Sequence, residues 1–275
     1  MQGQAVSVKA SFNGILCYSD ESHFGSQIRT FDQFGHLSDF SIIAQTDPGI
    51  RFVIAQKLEK IPDDVDNDPL DKYYIEKPGL WRIGKQYYRF GSGNILRESV
   101  LAVTSEQLVS SLELPIRITA IAGNVGKQQG VVLRMGANWG ASLAIGKHFG
   151  ISGTSLDYVR QPTSAPGLGR GYGAAYGFDY SQLRGAFRYR FEFVGLRQGS
   201  TILDRSDNIY DAAIHYKSDR LHSFELGITH DSSQGADFYR LIGDYRTFNG
   251  LSIIPMLRLR NGVFYDLSVT LRVKV

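Results

Sequence analysis

The last thirteen residues constrain this chain more than any other stretch. From Val263 to Val275 the odd positions are Val263, Tyr265, Leu267, Val269, Leu271, Val273 and Val275. The even positions are Phe264, Asp266, Ser268, Thr270, Arg272 and Lys274. Successive side chains of a β-strand point to opposite faces, so the segment reads as a strand with one apolar and one largely polar face. Thirteen residues is about twice the usual strand length. The period of two recurs. Phe187, Tyr189, Phe191 and Phe193 alternate with Arg188, Arg190 and Glu192; Tyr210, Ala212, Ile214 and Tyr216 with Asp211, Ala213, His215 and Lys217. Phe224, Leu226 and Ile228 alternate with Glu225 and Gly227, and at the N-terminus Val6, Val8, Ala10 and Phe12 alternate with Ser7, Lys9 and Ser11.

A soluble sandwich or a lipocalin-like barrel also alternates. Two features favour a membrane barrel. The segments run to nine to thirteen residues, the length a tilted membrane-spanning strand needs. The apolar face carries Tyr and Phe near segment ends, as an aromatic girdle does, and the opposite face is charged. Composition agrees: 15 Tyr and 16 Phe with 30 Gly and only 8 Pro suit strands joined by many turns.

Other classes fall away. The longest stretch without a charged residue, Met135 to Gly146, is too short for a transmembrane helix. The single cysteine, Cys17, excludes a disulfide framework and a Cys-based zinc site. Thirty basic against 27 acidic residues, net +3, with no block of like charge, is not a nucleic-acid signature. No cofactor or metal is expected. Met1-Gln2-Gly3-Gln4 lacks the basic and apolar regions of a secretory signal, so an outer-membrane location implies that one was removed.

Fourteen strands are read, at roughly 5–18, 36–46, 50–59, 80–90, 112–123, 129–137, 141–149, 173–181, 185–195, 209–217, 222–230, 238–247, 251–260 and 263–275. The expectation is an all-β, closed antiparallel transmembrane barrel of about 14 strands, within a range of about 12 to 16, as one domain over 1–275. Short connections (Asp47-Pro48-Gly49, Asn138-Trp139-Gly140, 181–184, 218–221, 247–250) alternate with long ones at 19–35, 60–79, 150–172, 196–208 and 231–237. That alternation suits short periplasmic turns and long extracellular loops. Asn261-Gly262 reads as a two-residue hairpin turn. Residues 91–111 break the scheme, with Ile95, Leu96, Val100, Leu101, Val103, Leu108 and Val109 at mixed helical spacings. The favoured reading is an amphipathic plug segment in the lumen or at its periplasmic mouth; two further strands, giving sixteen, is the other.

The alternating pattern resembles Gram-negative outer-membrane β-barrel proteins of the porin-like class, and Gly79 to Gly93, GLWRIGKQYYRFGSG, is similar to barrel strands of that class. The resemblance implies a channel in the bacterial outer membrane, passing small hydrophilic solutes passively. Its partners would be outer-membrane lipids and those solutes, with an oligomer or a partner protein also in view. With the charged face inward, the lumen would be lined by Arg188, Arg190, Lys217, Arg240, Arg246, Arg258, Arg260, Arg272 and Lys274, against Glu192, Asp211, Glu225, Asp244 and Asp266. The excess of cations gives the expected anion bias. The competing reading is that these charges pair with one another and fill the barrel.

One motif suggests chemistry. His230-Asp231-Ser232 ends a strand with His230 and Ser232 on the lipid-facing parity, and a histidine beside a serine can take its proton when a third group orients the ring. The pattern resembles outer-membrane phospholipase A locally. It implies, as an alternative, a lipid acyl hydrolase using His230, Ser232 and Asp244, with Asn249 a weaker third member. A structural barrel that holds a partner protein is a third reading. His36-Leu37-Ser38 is a second His-x-Ser of the same form. The acidic run Asp63-Asp64-Val65-Asp66-Asn67-Asp68 offers carboxylates to Ca²⁺ but has Pro69 where a calcium loop needs glycine; it reads as a solvated loop, and Gly167 to Gly171 as a flexible one.

Overall fold

Every strand of the computed structural model is joined to its neighbours in one closed antiparallel sheet. The structure describes residues 6–22, 25–32, 36–46, 49–58, 69–96, 99–109, 114–123, 129–149, 172–197, 206–232, 235–247 and 249–275. The strands are β1 (Val6–Glu21), β2 (Gly25–Arg29), β3 (Asp39–Thr46), β4 (Arg51–Lys57), β5 (Leu70–Lys77), β6 (Trp81–Tyr87), β7 (Ser99–Val109), β8 (Leu114–Ile121) and β9 (Gln129–Gly136). They continue as β10 (Trp139–Phe149), β11 (Tyr172–Arg184), β12 (Phe187–Arg197), β13 (Ser206–Lys217), β14 (His222–Asp231), β15 (Ala236–Arg246), β16 (Leu251–Arg260) and β17 (Val263–Lys274).

Closure runs through β1. Its second half pairs with β17, from Asn13↔Lys274 to Glu21↔Asp266. Its other edge is shared: Val6 to Asn13 pair with β3, and Cys17 to Glu21 pair with β2. Sixteen strands therefore close the barrel, and β2, paired to β1, stands as a seventeenth in line with β3. Sixteen exceeds the expected fourteen. The two additions are β5 and β7. Residues 99–109 are thus strand, not helix, which corrects the favoured reading of 91–111; the second extra strand lies instead at Leu70–Lys77. Short and long connections alternate, but 19–35 and 60–79, expected as unbroken connections, hold β2 and β5. One end of the barrel carries 47–50, 78–80, 110–113, 137–138, 185–186, 218–221 and 247–250. The other carries 58–69, 88–98, 122–128, 150–171, 198–205, 232–235 and the two-residue turn 261–262. Asn261 and Gly262 both have positive φ, 51° and 80°, the geometry that matches a tight hairpin to the twist of its strands.

The faces sort as the alternation demands. Phe187, Tyr189 and Phe191 stand on the outer wall at 43%, 39% and 36% exposure, while Glu192 on the opposite face is 1% exposed. Leu101, Val103, Ile118, Val131, Leu133, Tyr210, Leu226 and Leu241 extend the outer apolar band around the barrel. Such a band is at home against hydrocarbon, not water. The main buried apolar cluster is inside. Phe90, Ile95 and Leu96 pack there with Val100, Ala102, Ile121, Val132, Ala144, Ala175, Val194, Leu196 and Ile209. These wall residues lie in the half of the barrel nearer the long connections.

Candidate functional site

The cluster exists because the chain turns inward after β6. Residues 88–96 leave the wall and enter the lumen, with Phe90, Ile95 and Leu96 fully buried. Burying side chains of this size stabilises by about 1.5–3 kcal/mol each. Hydrogen bonds fix the direction of entry. The Gly91 N–H donates to Ser142 Oγ at 2.9 Å, and Arg134 Nε donates to the Gly91 carbonyl at 2.8 Å. The Ser92 hydroxyl and the Asn94 N–H both donate to Glu192 Oε2, at 2.5 and 3.0 Å. Gly91 has φ +56°, and a Cβ there would collide with the Glu192 carboxylate, so the close approach requires glycine.

Around this segment the inner wall carries a belt of charge. Asp179, Glu192 and Asp211 are directly opposite one another on β11, β12 and β13. Like charges in register repel, and the flanking aspartates are each answered by an arginine. Arg134 reaches Asp179 at 2.6 Å, and Arg240 reaches Asp211 at 2.5 Å. Among the described residues Glu192, the middle member, has no cation; the inward segment supplies its donors instead. Arg240 also donates to Thr229 at 2.8 Å and to Glu225 at 2.9 Å, and Glu225 takes Arg190 at 2.9 Å. Further round, Arg258 Nε donates to Asp266 at 2.9 Å, both side chains buried, and Arg272 meets Asp32 at 2.7 Å.

The residues expected in the lumen therefore fall into two groups. Glu192, Asp211, Arg240, Arg258 and Asp266 are buried, and Arg190, Glu225 and Arg272 are half-buried in ion pairs. Arg260 lies half-buried over the Phe238 ring at 5.8 Å. Arg246 is exposed beside Asp244 at 2.6 Å. Arg188, Lys217 and Lys274 are exposed, and none of the three makes an ion pair among the described residues. Reading from the C-terminal strands alone missed Arg82, Arg89, Arg117, Arg134 and Asp179. Carrying the inward parity of β12 back to β8, β9 and β11 would have found Arg117, Arg134 and Asp179.

Open space remains beside the inward segment. A cavity of about 470 Å³ lies between it and the wall of β5 to β8, bounded by Glu76, Arg82, Arg89, Glu106 and Arg117. A second, of about 280 Å³, is bounded by Asp32, His36, His215, Glu225 and Arg272. A third, of about 540 Å³, lies near the short turns and is bounded by Arg188, Lys217, Arg220, His222 and Arg246.

The hydrolase constellation does not come together. His230 Nδ1 is 2.7 Å from Asp237 Oδ1, its register partner on β15, and its ring lies against Tyr210 on the outer wall. Ser232 Oγ accepts the Asn208 N–H at 2.7 Å. Among the described residues no hydrogen bond joins His230 to Ser232. Asp244 pairs with Arg246 near the opposite end of β15, seven positions from Asp237 and roughly 24 Å along an extended strand. The assignment of Asp244 as the orienting residue is corrected accordingly: its register partner is Ser223, not His230. In the other His-x-Ser, His36 bonds Asp32 and Ser38 bonds the Ile15 backbone. Asp63 to Asp68, Gly167 to Gly171 and Asn249's neighbour at 248 lie outside the described residues. Cys17 is buried.

No protein-family model matches the chain, and no curated protein matches it by sequence. Solved structures do match in fold. OmpT, an outer membrane protein of Vibrio cholerae in its trimer form, superposes with a TM-score of 0.64 at 9% identity, covering 98% of this chain and 100% of that one. Salmonella typhi OmpF, in complex with daunomycin, gives 0.62 at 9% identity, with 98% and 97% covered. A mutant of the Rh. blastica porin gives 0.57 at 9% identity, with 98% and 100% covered. The chain thus has the barrel fold of outer-membrane porins over nearly its whole length.

Proposed function

We propose that the protein is an outer-membrane channel of the porin kind, passing small hydrophilic solutes passively with a bias toward anions. The observation that carries this reading is the placement of uncompensated charge. Arg89 in the lumen, and Arg188 and Lys217 at its short-turn rim, bound open cavities and make no ion pair among the described residues, whereas Glu76, Glu106 and Glu225 are each held by arginine and Asp219 at the rim is held by His222. A water-filled passage with fixed, unanswered cations attracts anions and repels cations. The inward segment 88–96 narrows the passage and sets the size of what crosses. The outer apolar band and the porin folds it matches support a place in the bacterial outer membrane.

Reconstitution in a planar bilayer tests the reading. Stepwise conductance in KCl is expected, with a reversal potential under a salt gradient that reports chloride as the more permeant ion. A protein that inserts but stays electrically silent would overturn it.

A further inference from the structure

The cavity of about 470 Å³ beside the inward segment has the size of a site for a small molecule, and its charge is lopsided. Its two acidic side chains are taken: Glu76 Oε2 accepts Arg82 at 2.7 Å, and Glu106 Oε2 accepts Arg117 at 2.5 Å. Arg89 is different. It sits on the inward segment between the buried Tyr88 and Phe90, so its backbone is anchored, yet its guanidinium makes no hydrogen bond or ion pair among the described residues.

We infer that Arg89, with Arg117 beside it, forms a binding subsite inside the barrel for a small oxyanion, a carboxylate or a phosphate. The inference rests on the channel reading and names the solute class. Its chemistry is that of a planar guanidinium, which binds two oxygens of a carboxylate or phosphate at once. The free protein also has cause to accept such a group. Arg117 and Arg134 bring further positive charge up to Arg89. A negative charge brought into the cavity relieves that repulsion.

Two measurements on the detergent-folded full chain separate this from the channel reading. In a bilayer, succinate and inorganic phosphate, added singly during KCl conduction, are expected to interrupt the current in a saturable way, whereas glycerol does not. Calorimetric titration of the same two anions tests binding without any need for conduction. Arg89→Gln is expected to weaken both readouts at least tenfold, and Arg89→Lys to restore part of the loss, since the charge returns without the planar fork. Conduction without saturable block, and no heat from either anion, would overturn the subsite while leaving the channel standing. Heat of binding in a protein that never conducts would uphold the subsite and remove the channel. Binding untouched by Arg89→Gln would place the anion elsewhere and also defeat the inference.

Discussion

The Ser92 hydroxyl donates to Glu192 Oε2 at 2.5 Å and ties the segment inside the barrel to a strand one hundred positions further along the chain. Glu192 lies between Asp179 and Asp211 and is the member of that row without an arginine. Its binding partners are the donors of the inward segment, Ser92 and the Asn94 N–H.

Replacing Glu192 with Ala is therefore expected to release the segment. Two hydrogen bonds to the buried Glu192 carboxyl are lost, for a net cost on the order of 2 kcal/mol. The thermal midpoint should fall and open-channel current noise should rise. Glu192→Gln keeps an acceptor oxygen and drops the like charge, so it should be as stable as the parent or more so. If Gln destabilises as much as Ala, the carboxylate charge itself holds the segment and this account fails.

The two faces of β12 give a paired test. Phe191→Arg places a cation on the outer wall, where the cost near the bilayer midplane is about 2–4 kcal/mol, and folding into lipid vesicles should be impaired. Arg190→Gln acts on the inner face. It frees Glu225 from one of its two arginines and should leave folding intact while moving the reversal potential toward cations. Equal folding yields for the two variants would contradict the assignment of faces.

Ser232→Ala is expected to leave conduction unchanged. Its side-chain oxygen caps the Asn208 N–H and takes no proton to His230, so the loss is one rim hydrogen bond of about 1 kcal/mol. Assays of the parent and the variant on phospholipid vesicles should show no difference in fatty-acid release. A parent that releases fatty acid, and a variant that does not, would make the lipid hydrolase the better reading.

Asp219 in the turn 218–221 offers a pH test. The His222 side chain, then the Leu221 N–H, hold its carboxyl down at about 2, against an ordinary value of 3.8. A lowered folded-state value means that the stabilisation is complete above the ordinary value and is lost as pH falls through about 2. Protection of the Leu221 and His222 amides from exchange should collapse over that window and not near 3.8. A midpoint at the ordinary value would show that the turn does not bind the carboxylate.

The strands whose two faces differ were legible from the chain alone. β12 to β17 alternate because lipid covers one face and charge fills the other, and Asn261-Gly262 announces its turn through the positive φ both residues tolerate. β5 and β7 were not legible, for a physical reason. In β7 the inward residues Val100 and Ala102 are apolar, since Phe90, Ile95 and Leu96 pack on them. With Leu101 and Val103 facing out, both faces are hydrophobic and the period of two disappears. In β5, Tyr73 and Tyr74 fall on opposite faces and blur the same signal.

Sequence by itself thus determined a closed barrel with an aromatic outer wall and a charged interior, because alternation is a local property of the strand. It could not say which charges stay free. That depends on register, which sets Arg134 against Asp179, Arg240 against Asp211 and Arg258 against Asp266. It depends also on where a segment of irregular backbone enters the lumen, since Arg89 faces a cavity only because Gly91 and Glu192 hold its neighbours inside. Pairing across strands is a long-range contact, and only the closed tertiary structure decides which cations are left without a partner.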